Sequence, residues 1–172
     1  MDTFLERRVG KSSNPRNPQI LKFSNQPILK SSNKNMSPHE LAQYMLDQDH
    51  FSQWMGIKLI EVREKYCLIE MPIKQEMING LRTVHGGVTF SLADSALAFS
   101  SNNTDEASVA LHCSMNFTKA VRLGDTLTAE SILVSDTRKT GVYDISIKNQ
   151  NDILVASFRG TVYKIDKKVT DL

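Results

Sequence analysis

The stretch Thr83–Asn102, TVHGGVTFSLADSALAFSSN, decides the fold. From Val88 to Phe99 almost every residue is apolar or small, yet one carboxylate, Asp94, stands in the middle. The run predicts a helix over Val88–Asn102, about 22 Å long at 1.5 Å per residue. Its apolar and small residues fall on every side, and a helix apolar all round is a buried one. A buried carboxylate costs several kcal/mol unless it is paired or neutralised. Asp94 is then either held by a structural hydrogen bond or is an active-site base or nucleophile with a perturbed pKa.

His85-Gly86-Gly87 leads into this helix. The glycines either make a tight turn or let backbone approach a ligand closely. The first N–H groups of a helix lack internal partners and sit at the positive end of its dipole. They suit a carbonyl or an oxyanion. Asp94 follows Gly86 by eight residues, or about 12 Å along the axis. Reacting groups act at about 3 Å. One helix cannot bring both to the same carbonyl, so a joint role requires a second subunit.

Working outward, "SPHE" from Ser37 to Glu40 predicts a capped helix start. The helix PHELAQYMLDQ follows, and then HFSQWMGI ends on Gly56. KLIEVREKYCLIEMPI reads as a strand hairpin and KQEMINGLRT as a loop. After Asn102 the period changes. ASVALHCSMNFTKAV, DTLTAESILVSDTRK, GVYDISIKNQ and ILVASFRGTVYKI are rich in β-branched and aromatic residues. RLGD, Thr140-Gly141 and NQND separate them. These are strands with tight connections. The order is α+β: about five or six antiparallel strands wrapped around one long central helix.

The 172 residues suit one domain with a real core. No apolar run reaches the roughly 18 to 20 residues of a membrane span, so no membrane partner is expected. Cys67 and Cys113 are too few for a disulfide framework, and the four histidines are scattered. No metal site and a reducing, cytoplasmic compartment are expected. The net charge of +2 hides an asymmetry. Residues 1–35 carry seven Lys/Arg and two acids, leaving the remainder at −3. A mildly acidic body argues against nucleic acid as a partner. Residues 1–35, rich in Ser, Asn, Lys and Pro, read as a basic tail ahead of a domain over residues 36–172. Three readings of it stand: a flexible tail, a start codon placed upstream of the native Met36, or a transit peptide.

Asn79, His85-Gly86-Gly87 six residues on, and Asp94 nine residues after the histidine form one spaced pattern. GDTLTAE, GVYDISIKNQ and VASFRGTVYKI extend it downstream. This pattern resembles the PaaI-type hotdog-fold acyl-CoA thioesterases over about residues 40–166. The resemblance implies a hotdog fold, a dimer with a continuous sheet and a shared active site, and a tetramer built as a dimer of dimers. It implies hydrolysis of acyl-CoA thioesters, aryl or arylacetyl groups such as phenylacetyl among them. No cofactor is implied, because coenzyme A is part of the substrate.

Carried over by position, the Gly86 N–H polarises the thioester carbonyl, and Asp94 of the partner subunit is nucleophile or general base. Asn79 holds the thioester or the attacking water, and His85 orients the loop or contacts the thioester region. A residue on the following strand is expected to face Asp94. By count it is His112 or Ser114, although the plain reading of His112 is a histidine facing solvent. Lys119 and Arg122, with Arg138, Lys139, Thr140 and Gly141, are candidates for the phosphates of coenzyme A. Met77, Leu81, Phe90, Leu97 and Met115 are candidate pocket residues. Two other functions stay open: a thioester hydratase or dehydratase using His85 with Asp94, and a non-catalytic acyl-CoA sensor.

Overall fold

The computed structural model describes residues 36–172. The expectations for residues 1–35 lie outside the described residues. Two helices come first, α1 (Pro38–Gln48) and α2 (His50–Met55). Strands β1 (Lys58–Arg63) and β2 (Tyr66–Pro72) form a hairpin, and a short 3-10 turn spans Gln75–Met77. The long helix α3 is Gly86–Ser101. It starts two residues earlier and ends one residue sooner than its apolar pattern suggested. Strands β3 (Glu106–Phe117), β4 (Thr126–Asp136), β5 (Thr140–Asn149) and β6 (Leu154–Lys168) follow, and a 3-10 turn covers Val169–Asp171.

The six strands make one sheet in the order β1-β2-β4-β5-β6-β3. Every pairing is antiparallel. The sheet encloses α3, as the α+β reading required. Strand alternation decides which side chains meet the helix. Cys67, Ile69 and Met71 of β2, Leu127 and Ala129 of β4, and Tyr143, Ile145 and Ile147 of β5 are all buried on one face. They close over Leu92, Ala93, Ala96, Leu97 and Phe99 of α3. The polar atoms in this layer are satisfied. The Ser100 and Ser131 hydroxyls lie 2.7 Å apart, and Ser100 Oγ also donates to the Ala96 carbonyl. Both cysteines are free.

Helix α1 opens with the capping box its sequence spelled out. The Glu40 N–H donates to Ser37 Oγ, and the Ser37 N–H donates back to the Glu40 carboxylate at 2.7 Å. Helix α2 docks on the middle of α3, where Ser52 Oγ and Ser95 Oγ are 3.0 Å apart.

One expectation needs correcting. Helix α3 is not covered on all sides in the single chain. Gly87 and Asp94 are exposed, and Ser91 and Ala98 are half-buried. These four positions share one helical face. The residues on it are small or charged, and the large apolar side chains turn to the sheet. Asp94 therefore sits in an open seam rather than in the core.

Helix and sheet approach closely at Gly160 of β6. A Cβ built there would lie 2.5 Å from a methyl of Leu97, itself 1% exposed, and 3.0 Å from the Phe158 ring. Neither neighbour has room to withdraw. Gly160→Ala is expected to destabilise the fold by about 1–3 kcal/mol through overpacking. A lowered urea midpoint with an unchanged m-value is the expected result.

Candidate active site

The start of α3 is fixed by its own sequence. The His85 N–H donates to the Met77 carbonyl at 2.9 Å, which seats the residue before the helix. Its ring then caps the helix: Nδ1 accepts from the Gly87 N–H at 2.9 Å. The adjoining Gly86 N–H has no acceptor among the described residues and is the donor left at the positive end of the helix. The Phe117 ring lies over it, 3.3 Å from where a Gly86 Cβ would stand. Gly86, Phe117 and Lys119 share a cavity of about 310 Å³ with Val84, Thr89 and Val121.

Asn79 builds the loop that leads here. Its Oδ1 accepts from the Leu81 N–H at 2.8 Å and from the Thr83 N–H. Its amide N–H donates to Thr83 Oγ1 and the Val84 carbonyl. Both ends of the amide are engaged inside the loop, so in the single chain Asn79 organises the turn that delivers His85.

Asp94 lines a different and more apolar cavity, of about 440 Å³. It lies between α1, α3 and the first half of β3, with Met45, Leu97, Val109, Val162 and Val169 in its walls. Although the residue is exposed, the surrounding protein partly strips its carboxylate of water. This desolvation raises the Asp94 pKa above the ordinary carboxylate value.

The residue on β3 that turns to the helix beside this seam is neither His112 nor Ser114. Those two are exposed. Cys113 lies between them, packs against the core, and has its thiol pKa raised by burial and by the Asp94 charge. Alternation along β3 explains the correction: odd-numbered Cys113 and Met115 face the helix. His112 follows its plain reading as a histidine facing solvent.

The expected pocket residues divide. Leu97 lines the Asp94 cavity. Met77 is buried, Phe90 makes an edge contact with Phe158 at 5.3 Å, and Met115 packs into the core. Leu81 is 85% exposed at the loop tip. Residues that do line the cavity and were missed include Tyr44, Met45 and Val109. Tyr44 and Met45 belong to the helix PHELAQYMLDQ, but nothing in its sequence says that this face meets a cavity.

The candidate cations also divide. Lys119 and Arg122 are exposed in the loop after β3. Its tight turn is held by Gly124 at φ +88° and by Asp125, which accepts from the Arg122 N–H. Arg138 and Lys139 occupy the β4–β5 turn. Lys139 is bound to Asp166 at 2.5 Å, which together with Arg138 holds the Asp166 carboxyl below its usual range. Thr140 closes that turn through Thr137, and Gly141 makes room for Tyr143 and Val162. Phe117 pairs with Ala156, and Thr140 with Tyr163. Seven residues of β6 therefore separate the two groups, about 23 Å. One chain does not bring the two groups together.

The sequence pattern of the thioesterase superfamily matches residues 81–156. The acyl-coenzyme A thioesterase PaaI of Escherichia coli K12 is 38% identical over 129 residues, 75% of this chain and 92% of that protein. The chain belongs to the PaaI-type thioesterases. Its fold agrees with the solved E. coli PaaI, from the phenylacetic acid degradation operon, at a TM-score of 0.75 and 37% identity, covering 76% of this chain and 95% of that one. A Streptococcus mutans protein solved with bound acetyl-CoA is 28% identical at a TM-score of 0.63, over 64% and 90% of the two chains. By family this thioesterase is a thioester hydrolase. No helix among the described residues is long and apolar enough to cross a membrane.

The raised Asp94 pKa has a stability consequence. Its folded-state pKa lies above the unfolded value, so ionising it costs the folded state. The cost is absent below the unfolded carboxylate pKa of about 3.9 and fully present above the folded one. Asp94→Asn is expected to melt higher than the parent at pH 7. The difference should close as the pH falls through the folded pKa towards 4, read by thermal melts across that range.

Proposed function

We propose that this thioesterase hydrolyses acyl-CoA, with aryl and arylacetyl thioesters such as phenylacetyl-CoA among its substrates. The observation that carries the reading is Asp94: a partly desolvated carboxylate in the wall of an apolar cavity, nine residues after the histidine that caps the same helix. Similarity to an acyl-coenzyme A thioesterase supports the acyl-CoA part.

Gly86 of one subunit acts with Asp94 of a second. Helix α3 separates the two by about 12 Å, so one chain cannot complete the site. Strand β3 is the last in the sheet, and its outer edge carries exposed Val109, Leu111 and Phe117. Such an edge is a template for pairing with another strand. Antiparallel pairing of two β3 strands brings the Phe117 end of one beside the Val109 end of the other. The Gly86–Lys119 half of one subunit then faces the Asp94–Arg138 half of its partner, and the two cation groups converge on one coenzyme A. Two such dimers make a tetramer in the cytoplasm.

The thioester carbonyl sits on the Gly86 N–H, whose dipole stabilises the oxyanion as it forms. By one route Asp94 takes a proton from water while the water oxygen attacks the carbonyl carbon. The C–S bond breaks, and the coenzyme A thiolate recovers that proton. By the other route the carboxylate attacks directly, expels the thiolate, and water hydrolyses the resulting anhydride. Neither route draws on a metal or prosthetic group.

Release of free thiol from a panel of acyl-CoAs tests this. Asp94→Asn is expected to stay folded and oligomeric while losing about 100-fold or more of kcat/KM. Near-parental turnover in that variant, or a fully active monomer on gel filtration, would overturn the shared site. In the parent, kcat/KM should fall on the acid side with an apparent pKa above the ordinary carboxylate value. Asp94 must be ionised to act, and desolvation favours its neutral form.

A further inference from the structure

The Asp94 cavity has a direction. It follows α3 from Asp94 to Asn102, eight residues or about 12 Å. At the Asn102 end, the Ser108 N–H donates to Asn102 Oδ1 at 2.7 Å. The neighbouring Ala107 packs with Leu41 and Val169. The C-terminal turn therefore stands across the end of the cavity remote from Asp94. Val169 is buried and anchors the turn, while Leu172 is 73% exposed and lines the cavity as a lip.

The polar groups that line the far end are engaged within the chain, with Ser108 Oγ donating to the Ser101 carbonyl. The Asn102 amide is already spent on the Ala98 carbonyl, Ser101 Oγ and the Ser108 N–H. Tyr44, Met45, Val109, Val162 and Val169 supply apolar wall. A thioester whose carbonyl lies at Asp94 would run its acyl group along this wall towards Val169. An arylacetyl group fills the part nearest Asp94, and a straight acyl chain reaches the turn.

Resting on the acyl-CoA reading above, we propose that the C-terminal turn Val169–Leu172 is the end wall of the acyl cavity and sets the longest acyl group accepted. Length selection is then placed on residues that do no chemistry. One methylene too many against such a wall is worth about ten-fold or more in kcat/KM.

The test compares the parent with Leu172→Ala and with a form lacking Leu172. Leu172 is exposed and outside the core, so neither change threatens the fold. The substrates are straight-chain acyl-CoAs from acetyl to lauroyl, with phenylacetyl-CoA beside them. Opening the wall should raise the lauroyl-to-hexanoyl ratio of kcat/KM about ten-fold. An unchanged ratio, or one factor across the whole series, would overturn the end wall. If the parent hydrolyses no acyl-CoA, the catalytic reading falls by itself. The same series is then read as affinity by calorimetry. A limit in Kd that moves to longer chains in both variants supports the end wall; an unmoved limit, or no binding, refutes it.

Discussion

Helix α3 and strand β6 meet at Leu97 and Gly160 with no room for a side chain between them. A helix can sit deeper against a sheet where a strand offers no side chain. Here β6 offers a glycine, and the Leu97 methyls fill the space where a side chain would begin. That contact lets α3 sit close to β6, with Leu97 turned to the sheet. With Leu97 turned inward, Asp94, three residues earlier, lies towards one flank of the helix. The same rotation that buries Leu92, Ala96 and Phe99 leaves Asp94 at the seam between helix and edge strand.

The fold was legible because its elements are locally consistent. The Ser37–Glu40 capping box, the alternation of β2 and β5, and the glycine turn at Gly124 each specify one structure without help from distant residues. The helix boundaries erred at the front for a physical reason. Gly86 and Gly87 are poor helix residues, yet they lie inside α3 because the His85 ring caps it through the Gly87 N–H. An imidazole in the role usually taken by Ser, Thr, Asp or Asn is a signal that propensity does not weigh.

The site was legible in part. Spacing singled out Asp94 and Gly86, because a charge in an apolar run and glycines at a helix start both need reasons. Spacing could not show that Asn79 spends its amide within its own loop, since that follows from the turn at Arg82, held at φ +62°. Nor could it show that Cys113 rather than His112 or Ser114 turns to the helix, because which face of β3 packs on α3 is set by its pairing with β6. The cation candidates looked equivalent as sequence. Only strand pairing shows them to be at opposite ends of the sheet.

That separation gives the halves of the site a common logic. Each chain carries a donor end, with Gly86 and Lys119, and a carboxylate end, with Asp94 and the apolar cavity. Between them runs the open edge of β3. On the proposed pairing, covering that edge also covers the seam in which Asp94 stands. Assembly would then remove more water from a carboxylate whose pKa burial already raises. The strand edge that needs a partner and the carboxylate that needs a dry site lie on the same flank of one helix. Pairing would meet both needs at once, so the lone subunit would hold its base in a less perturbed, more solvated state than the proposed dimer would.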